Sequence, residues 1–532
     1  MKVLVTDKIN ESAGKIIESA AEVDFLPTMS EEELIKIISD YDALMVRSQT
    51  KVTANIINAG VNLKIIGRAG VGVDNIDLEA ATQKGIIVVN SPDGNTIAAA
   101  EHTIALMLAM ARNIAPAAIS TKEGKWDRSK FTGCELHKKT LGIIGFGKIG
   151  SHVGEVALAL GMKVVVYDPF SSKEVVEKAG GEYVENLDDF WGKCDFITVH
   201  VPKTKDTLNM INKDSISKMK KGVRLVNCAR GGIINENDLK EALDSGYVAG
   251  AAIDVYENEP NITECPLLSC NGNIVLTPHL GASTQEAQTN VAIDVAEQIK
   301  EVLSGGSASS AVNIPSLRPD KLEPVKDYMH IAENSGELAV QLSTGAIKSI
   351  EITADGDLAD LDIQPLEVAV LKGALSSKLE GINYVNAPVV AKKRGIDVIS
   401  ATSKAKSNFA GRITVKLITD KETTVVAVGL VTKDIPRILK INDYETSIRP
   451  EKHIIIVPHL NRPSMIAKVA KVIGEKDINI ESMNVVQKND RHETESIMVI
   501  SVDKSVGEET LIPISMIDGV HNPKYVNLGV KG

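Results

Sequence analysis

The fold is decided by a stretch that begins Thr140-Leu141-Gly142-Ile143-Ile144-Gly145-Phe146-Gly147-Lys148-Ile149-Gly150 and ends Val164-Val165-Val166-Tyr167-Asp168. The apolar run before the turn glycines predicts a short buried strand, and apolar residues at helical spacing after them predict a helix. The second apolar run is typical of a buried parallel strand. The stretch therefore predicts a strand, a glycine turn, a helix and a second strand.

Each glycine of this turn has a mechanical role in binding a dinucleotide. Gly145 permits a tight turn, Gly147 lets the backbone approach a pyrophosphate, and Gly150 lets the helix pack against the strand. The positive N-terminal end of the helix, which opens with Lys148 and Ile149, would face the phosphates. The pattern alone occurs often by chance, but a strand before it and a helix after it make it specific.

Asp168 follows the second strand and selects between two dinucleotides. A carboxylate at this position can accept hydrogen bonds from both hydroxyls of an adenosine ribose. It would repel a 2′-phosphate because both groups are negatively charged. We therefore predict NAD as the cofactor.

Length and composition exclude several classes of protein. A chain of 532 residues exceeds the size of one hydrophobic core, so several domains are expected. Its net charge of −11 argues against nucleic acid or an anionic membrane as the main partner. The sequence opens on a predicted strand without a signal segment and contains no apolar run of membrane-spanning length, which predicts a cytoplasmic protein. Its five cysteines include no Cys-x-x-Cys pair, so reduced thiols are favoured over disulfides, and we predict no metal site.

Hydrophobic patterning predicts an α/β protein of several units. The first unit alternates helical segments with β-rich runs at Lys2–Val5, Ala43–Val46, Lys64–Gly67 and Ile86–Val89, which predicts a parallel sheet. We expect the crossing into the second unit near the polar stretch Trp126–His137, beyond an apolar helix. Further strands of the second unit are predicted at Phe196–His200, Arg224–Asn227, Ala249–Ile253 and Ile274–Thr277.

The last two units differ from the first two. Residues 315–452 mix helices with β-rich runs, and residues 453–532 follow the order β-α-β-β-α-β of a ferredoxin-like fold. The boundaries that we predict are 1–98, completed by a returning helix within 287–314, then 99–286, 315–452 and 453–532.

Three polar residues follow neighbouring strands of the second unit, and their chemistry suits hydride transfer. Each has an ordinary explanation as an exposed loop residue, so only their joint placement is informative. Histidine side chains are the usual bases for removing the proton of an alcohol, and His279 is the candidate here. A carboxylate, Glu259, can raise the pKa of that histidine and orient its ring. The guanidinium of Arg230 can hold a substrate carboxylate in bidentate geometry.

The segments around these residues resemble the D-2-hydroxyacid dehydrogenases, in which the corresponding Arg, Glu and His are catalytic. The matching segments are Val226-Asn227-Cys228-Ala229-Arg230-Gly231-Gly232, Asp254-Val255-Tyr256-Glu257-Asn258-Glu259-Pro260 and Pro278-His279-Leu280-Gly281-Ala282-Ser283-Thr284. The resemblance implies further cofactor contacts from Val71, Cys228, Ala229, Arg230, Asp254, His279 and Gly281.

Earlier segments resemble the branch of that family that oxidises 3-phosphoglycerate at the start of serine biosynthesis. They are Val46-Arg47-Ser48-Gln49-Thr50-Lys51-Val52-Thr53, Gly67-Arg68-Ala69-Gly70-Val71-Gly72-Val73-Asp74-Asn75, Asn95 and Trp126-Asp127-Arg128-Ser129-Lys130-Phe131. The resemblance implies substrate contacts from Arg47, Lys51, Asn75, Asn95, Arg128, Lys130 and Arg230. In that family the region around Trp126 can be lent by a neighbouring subunit, which implies a homodimer or homotetramer.

The resemblance covers essentially the whole chain and supplies the character of each unit. It implies a flavodoxin-like substrate domain, a Rossmann NAD domain, an α+β intervening domain and a C-terminal ferredoxin-like ACT domain. His459, Asn461 and Asn479 match residues that bind L-serine as an effector in such ACT domains. The family usually has Gly where this chain has Ser464, whose side chain either weakens that site or caps the next helix.

Three alternatives remain open on the sequence alone. The enzyme could act on an unphosphorylated acid such as glycerate or lactate. The same fold could serve as an NAD-sensing scaffold or corepressor, because fold does not determine function. The C-terminal module could act only in assembly.

Overall fold

The described residues form four β-sheets that follow one another along the chain, and the mixed α/β class predicted from the sequence is confirmed. The computed structural model describes residues 1–404, 409–431, 435–488 and 495–529. Short 3-10 helices connect some elements, at Ile38–Asp40, Arg128–Phe131, Pro266–Ser269, Pro315–Leu317 and Glu323–Val325.

The first sheet has five parallel strands in the order β2-β1-β3-β4-β5, which is the flavodoxin-like order. Strands β1–β5 are Lys2–Val5, Glu22–Phe25, Ala43–Val46, Ile65–Arg68 and Ile87–Asn90. Helices α1–α4 are Ser12–Ile17, Glu31–Ile37, Ala54–Ala59 and Leu78–Lys84. Strand β2 was absent from the predicted runs because it is an edge strand with partly exposed residues, so its charged side chains interrupt the apolar pattern.

The second sheet has seven parallel strands in the order β12-β11-β10-β9-β6-β7-β8. Strands β6–β12 are Thr140–Ile144, Lys163–Tyr167, Glu182–Tyr183, Phe196–Val199, Val223–Asn227, Val248–Ile253 and Ile274–Leu276. Helices α5–α12 are Thr96–Ala111, Ile114–Lys122, Lys148–Ala159, Lys173–Lys178, Leu187–Trp191, Lys213–Lys218, Glu236–Asp244 and Gln285–Leu303. The order reverses at β6, and such a switch point is where open α/β sheets bind nucleotides.

Two helices connect the first pair of sheets. Helix α5 shares a buried cluster with strand β6 and helix α7, which includes Met107, Leu141 and Val153. Helix α5 therefore packs with the second sheet, although it precedes the polar stretch Trp126–His137 near which we predict the crossing. Helix α12 returns to the first sheet, where a Cβ at Gly67 would lie 2.4 Å from its Val295 Cγ1.

The third sheet is mixed and the fourth is antiparallel. Strands β13–β18 are Ile347–Gly356, Asp397–Ser403, Gly411–Thr419, Thr423–Leu430, Pro436–Ile441 and Tyr444–Ile448, in the order β14-β13-β15-β16-β17-β18. Helices α13–α16 are Pro319–Leu322, Lys326–Leu342, Gln364–Ser376 and Ala387–Lys393. Strands β19–β22 are His453–Leu460, Ile480–Gln487, Glu495–Val502 and Lys524–Asn527, in the ferredoxin-like order β20-β21-β19-β22, with helices α17 and α18 at Met465–Gly474 and Glu508–Ser515.

Helices α5 and α6 follow one another along the chain and are rich in apolar residues. No single helix among the described residues is long and apolar enough to cross a membrane. These two helices, bent by 64° at their junction, pass the same test of length and composition when they are joined.

Candidate active site

The glycine turn between β6 and α7 exposes backbone to an open space. Gly145 has a φ of +92°, and a Cβ there would lie 2.5 Å from the carbonyl oxygen of His200. A Cβ at Gly150 would lie 2.1 Å from the oxygen of Gly145, so only glycine lets the helix pack this closely. A Cβ at Gly147 would meet no atom within 4 Å. The turn therefore fits a pyrophosphate, which needs free space beside the N-terminus of a helix.

Asp168 joins the end of β7 to this turn. One carboxylate oxygen accepts from the Phe146 N–H at 2.6 Å, and the other accepts from the Phe170 N–H at 2.7 Å. The first oxygen also accepts from the Ser171 hydroxyl at 3.2 Å, so the oxygen that faces Phe170 is the one with a lone pair left for a ribose hydroxyl. Beside the turn, Lys148 Nζ forms an ion pair with Asp93, which lies on the loop after β5. The predicted role of Asp168 in selecting NAD stays a prediction.

His279 and Glu259 meet at the carboxyl end of the second sheet. His279 Nδ1 lies 2.6 Å from Glu259 Oε2, and Glu259 Oε1 accepts from the Tyr256 N–H at 2.8 Å. Burial raises the pKa of Glu259, but the hydrogen bonds from His279 and Tyr256 outweigh it and hold that pKa below its ordinary value. The carboxylate therefore stays ionised beside the imidazole, whose second nitrogen, Nε2, is left for a substrate hydroxyl.

A second histidine at a neighbouring strand end was not singled out from the sequence. Burial lowers the pKa of His200, which follows β9, to about 4. Its Nε2 lies 3.0 Å from Thr198 Oγ1. A histidine that is neutral throughout the physiological range is poorly matched to moving a proton near neutrality, so His279 is the better candidate.

Arg230 follows β10 and faces the first unit across a cleft. Its Nε lies 3.6 Å from Asp74 Oδ2, and its Nη1 donates to the Ala229 carbonyl at 2.7 Å. A Cβ at Gly72 would lie 2.5 Å from Arg230 Nη2, so the loop after β4 approaches this guanidinium closely. Strands β10, β11 and β12 are neighbours, which places Arg230, Glu259 and His279 after adjacent strands at one edge.

Arg68, at the end of β4, is a candidate residue that the sequence reasoning missed. Burial lowers the pKa of Arg68 to about 10, and the nearby charge of Arg230 lowers it further. Its buried Nε has no hydrogen-bond partner among the described residues. A buried cation beside a second cation favours an anion in the cleft between them. The sequence signal that could have identified Arg68 is a charged residue at the end of an otherwise apolar predicted strand.

The predicted substrate residues of the first unit are two asparagines and two cations. Asn75 Nδ2 donates to the carbonyls of Arg47 and Thr50, both at 2.7 Å, so it shapes the loop that carries Arg47. Asn95 has a buried Oδ1 without a partner among the described residues. The side chain of Lys51 is exposed. Within the described ranges neither Arg47 nor Lys51 forms an ion pair, which leaves both charges for an anion.

The structure does not bring Arg128 and Lys130 into contact with the other cations. Both are exposed on the 3-10 helix Arg128–Phe131, and the described part of the chain shows no ion pair for either. Trp126, just before them, is 81% exposed. Their predicted substrate role therefore depends on a neighbouring chain or on a movement.

The other predicted cofactor residues lie on loops at the carboxyl ends of the two parallel sheets, where most of their polar groups have partners within the chain. The Val71 carbonyl accepts from Asn90 Nδ2. Burial raises the pKa of the Cys228 thiol to about 12, so this thiol stays protonated. The Gly281 N–H donates to Asp254 Oδ2 at 2.9 Å. The described residues contain no group of three or more His, Cys, Asp or Glu arranged to hold a metal ion.

The predicted effector residues lie at the end of β19 and near β20. His459 is buried, its Nδ1 contacts the Leu460 carbonyl at 2.9 Å, and its Nε2 has no partner among the described residues. Asn461 and Asn479 are exposed. Ser464 has a φ of +73° and makes no capping hydrogen bond, so the prediction that it caps helix α17 was wrong. Its left-handed backbone explains the preference for Gly at this position.

Comparison with known proteins agrees with this geometry. Residues 104–281 match the family model described as D-isomer specific 2-hydroxyacid dehydrogenase, NAD binding domain, and residues 324–442 match the D-3-phosphoglycerate dehydrogenase intervening domain. The fold, the site and the first match define an NAD-dependent dehydrogenase of the D-2-hydroxyacid class, with NAD as its cofactor.

Relatives and solved structures narrow that class. The chain is 46% identical over 529 residues to D-3-phosphoglycerate dehydrogenase of Synechocystis sp., with 99% of this chain and 95% of that protein covered. It is 45% identical over 530 residues to the Methanocaldococcus jannaschii enzyme of that name, with 99% and 100% covered. The NAD⁺-bound 3-phosphoglycerate dehydrogenase of Entamoeba histolytica superposes with a TM-score of 0.50 at 33% identity, covering 59% of this chain and 98% of that one. The chain belongs to the D-3-phosphoglycerate dehydrogenase family.

Proposed function

We propose that the protein oxidises 3-phospho-D-glycerate to 3-phosphohydroxypyruvate with NAD, as the first step of L-serine biosynthesis. The observation that carries this proposal is the contact between His279 and Glu259 at the sheet edge that also carries Arg230. Relatives named D-3-phosphoglycerate dehydrogenase align with 99% of this chain, and their name supports the phosphorylated substrate.

The chain supplies a base, a partner for that base and an anchor. NAD, when bound, accepts the hydride from C2 of the substrate. Arg230 holds the substrate carboxylate, which fixes the position of C2. His279 Nε2 takes the proton of the C2 hydroxyl, and the resulting imidazolium is stabilised by Glu259 across the 2.6 Å contact at Nδ1.

The substrate phosphate needs cations beyond this anchor. Arg47 follows β3 and Arg68 ends β4, and Arg68 lies beside Arg230 with an Nε that has no partner among the described residues. A guanidinium matches the fork geometry of a phosphate. We assign the phosphate to Arg47, Arg68 and Lys51, with Arg128 and Lys130 supplied by a second copy of the chain.

A substrate comparison tests the proposal. Purified protein with NAD should produce NADH, followed by absorbance, from 3-phosphoglycerate when hydrazine traps the keto product. The same assay with D-glycerate should give a much higher KM, because the cations of the first unit then lack their anion. Equal kcat/KM for the two acids would instead favour the enzyme for an unphosphorylated acid, and NADH from neither would overturn both.

We assign the four units as substrate domain, NAD domain, intervening domain and ACT domain, in chain order. We also propose a homodimer or homotetramer, since Ile114, Ile119 and Trp126 expose 53%, 60% and 81% of their surface near the predicted contact region. Light scattering tests this assembly, and a monomer would contradict it. The free cysteines favour a reducing compartment, and we assign the protein to the cytoplasm.

We further propose that L-serine binds the ACT domain as a feedback effector. The buried, unpartnered Nε2 of His459 supports this proposal, because a ligand group would satisfy it. Titration calorimetry with serine should give binding heat for the wild type and a weaker response for Asn461→Ala. Absence of heat at millimolar serine would leave the module a role in assembly only.

A further inference from the structure

His102 lies on helix α5, far from the catalytic segments in the sequence. It nevertheless contacts Asp254 and Thr277, which lie beside the loop that carries His279. Its Nε2 lies 3.2 Å from Asp254 Oδ1 and 3.4 Å from Thr277 Oγ1. The side chain of His102 is 19% exposed and that of Asp254 is 1% exposed. Helix α5 therefore brings one polar side chain to a buried carboxylate at the end of β11.

Asp254 holds the loop that carries His279. Its Oδ1 accepts from the Leu280 N–H at 2.8 Å and its Oδ2 from the Gly281 N–H at 2.9 Å. Its backbone carbonyl accepts from the His279 N–H at 2.9 Å. His279 itself has a φ of +55°, a conformation that residues with a Cβ seldom adopt unless their surroundings fix it. The carboxylate of Asp254 thus fixes the strained backbone of the catalytic loop.

The position of this carboxylate depends on its other donors. Thr277 Oγ1 donates to Oδ1 at 2.6 Å, so Oδ1 receives bonds from a side chain on β12, a loop N–H and His102. A fully buried carboxylate is costly unless charge or hydrogen bonds compensate it. In the described ranges, His102 is the one Lys, Arg or His side chain whose nitrogen lies within 4 Å of the Asp254 carboxylate. Removing it leaves Oδ1 with two donors, Thr277 Oγ1 and the Leu280 N–H, so the buried carboxylate is less well compensated and holds the loop less firmly.

We infer that His102 is a positioning residue for the reaction: it holds the Asp254 carboxylate, which in turn holds the loop from His279 to Gly281. The inference rests on the dehydrogenase function proposed above. It concerns the geometry of proton and hydride transfer at the loop from His279 to Gly281, which the family resemblance also assigns to the cofactor.

Two amide variants test this role with little change in volume. The terminal nitrogen of glutamine matches Nε2 of histidine, so His102→Gln should keep the bond to Asp254. The shorter amide of asparagine matches Nδ1, so His102→Asn should lose that bond. His152→Asn is the matched control, since His152 pairs with Glu155 at 3.3 Å on the surface of α7.

We expect His102→Asn to lower kcat about 10-fold, part of the roughly 100-fold cost of a 1 Å misplacement, with a rise in KM for NAD that is smaller than the loss in kcat. Its primary isotope effect with substrate deuterated at C2 should rise, because the chemical step becomes slower. His102→Gln should restore both kcat and the isotope effect towards the wild type, and His152→Asn should match the wild type.

Two results would overturn the inference. One is a folded His102→Asn enzyme with wild-type kcat and isotope effect. The other is equal loss in His102→Gln and His102→Asn, which would mean that the histidine acts through bulk alone. Wild-type protein without dehydrogenase activity would instead defeat the proposed function, and it is assayed first. If His102→Asn does not fold, Thr277→Val, which removes another donor to the same oxygen, carries the same expectation.

Discussion

The loop that carries His279 and the C-terminal turn, meaning the end of strand β19 with His459 and the residues up to Ser464, are built differently. At the catalytic edge, Nδ1 of His279 contacts Glu259, and Asp254 receives hydrogen bonds from the loop. At the C-terminal turn, Nε2 of His459 is buried without a partner in the described part of the chain, and Asn461 beside it is exposed. Both histidines have Nδ1 in contact with their own chain, but Nε2 of His459 is buried without a partner among the described residues, whereas the side chain of His279 is half exposed.

This difference determines whether a substitution in each region changes the reaction rate or the binding of a ligand. Preorganised groups at a catalytic site need no rearrangement as charge develops. A buried polar atom without a partner costs about 1–3 kcal/mol, which a ligand can recover on binding. We therefore expect substitutions at the catalytic edge to change rates strongly, and substitutions at the C-terminal turn to change ligand affinity or stability modestly.

The largest effect should come from His279→Ala. Loss of the base should lower kcat/KM for 3-phosphoglycerate by about 1,000-fold, within the range of general-base catalysis. NADH should still bind, as measured by fluorescence titration, because the glycine turn is untouched. Retained turnover in this variant would contradict the mechanism.

A smaller effect is expected for Glu259→Gln, which keeps the shape but not the charge. The imidazolium then lacks its counter-charge, so kcat should fall about 100-fold. The variant also tests stability against pH. Because the folded pKa of Glu259 is below its ordinary value of 4.5, its contribution is present above that value and is lost as pH falls through the lower one.

Denaturation midpoints across the acidic range measure this contribution. The wild type should lose stability as the carboxyl groups titrate, and Glu259→Gln should lose less. An equally steep loss in both proteins would assign the acid sensitivity to other carboxylates. Tyr256 should remain in place in the variant, since the amide oxygen still accepts from its N–H.

Sequence patterns predicted the parts of the site that depend on local order. The glycine turn follows from spacing within one stretch, and the adjacency of Arg230, Glu259 and His279 follows because parallel strands share a carboxyl edge. Arg68 was missed because its significance depends on burial beside Arg230, which comes from another unit of the fold.

Backbone conformation was the second limit on prediction. The role of Ser464 as a cap was wrong because the residue identity fits a helix start, while its φ of +73° is set by the turn from β19 into α17. The support of His279 by Asp254 was likewise hidden, since it depends on the φ of +55° that the loop adopts. Neither angle is encoded in hydrophobic periodicity.

A third prediction concerns which unit binds which group of the substrate: the first unit the phosphate, and Arg230 of the second unit the carboxylate. Arg68→Gln should raise KM for 3-phosphoglycerate about 10-fold, the value of one charge-assisted hydrogen bond, and leave KM for D-glycerate nearly unchanged. Arg437→Gln, on β17 of the intervening domain, is the control and should change neither. Equal effects on both acids would mean that Arg68 supports the fold or the carboxylate instead of the phosphate.

The smallest effect should come from Ser464→Gly at the C-terminal turn. A left-handed backbone costs a residue with a Cβ about 1–2 kcal/mol, whereas glycine loses about 0.4–1 kcal/mol through its freer unfolded state. The variant should therefore be more stable by about 0.5 kcal/mol, measured by denaturation. Ser482→Gly, in strand β20, lacks that strain and should be less stable than the wild type. If the serine side chain also occludes the effector site, calorimetry should show tighter serine binding in Ser464→Gly. Unchanged affinity with the expected gain in stability would mean that the missing glycine matters for the turn and not for the ligand.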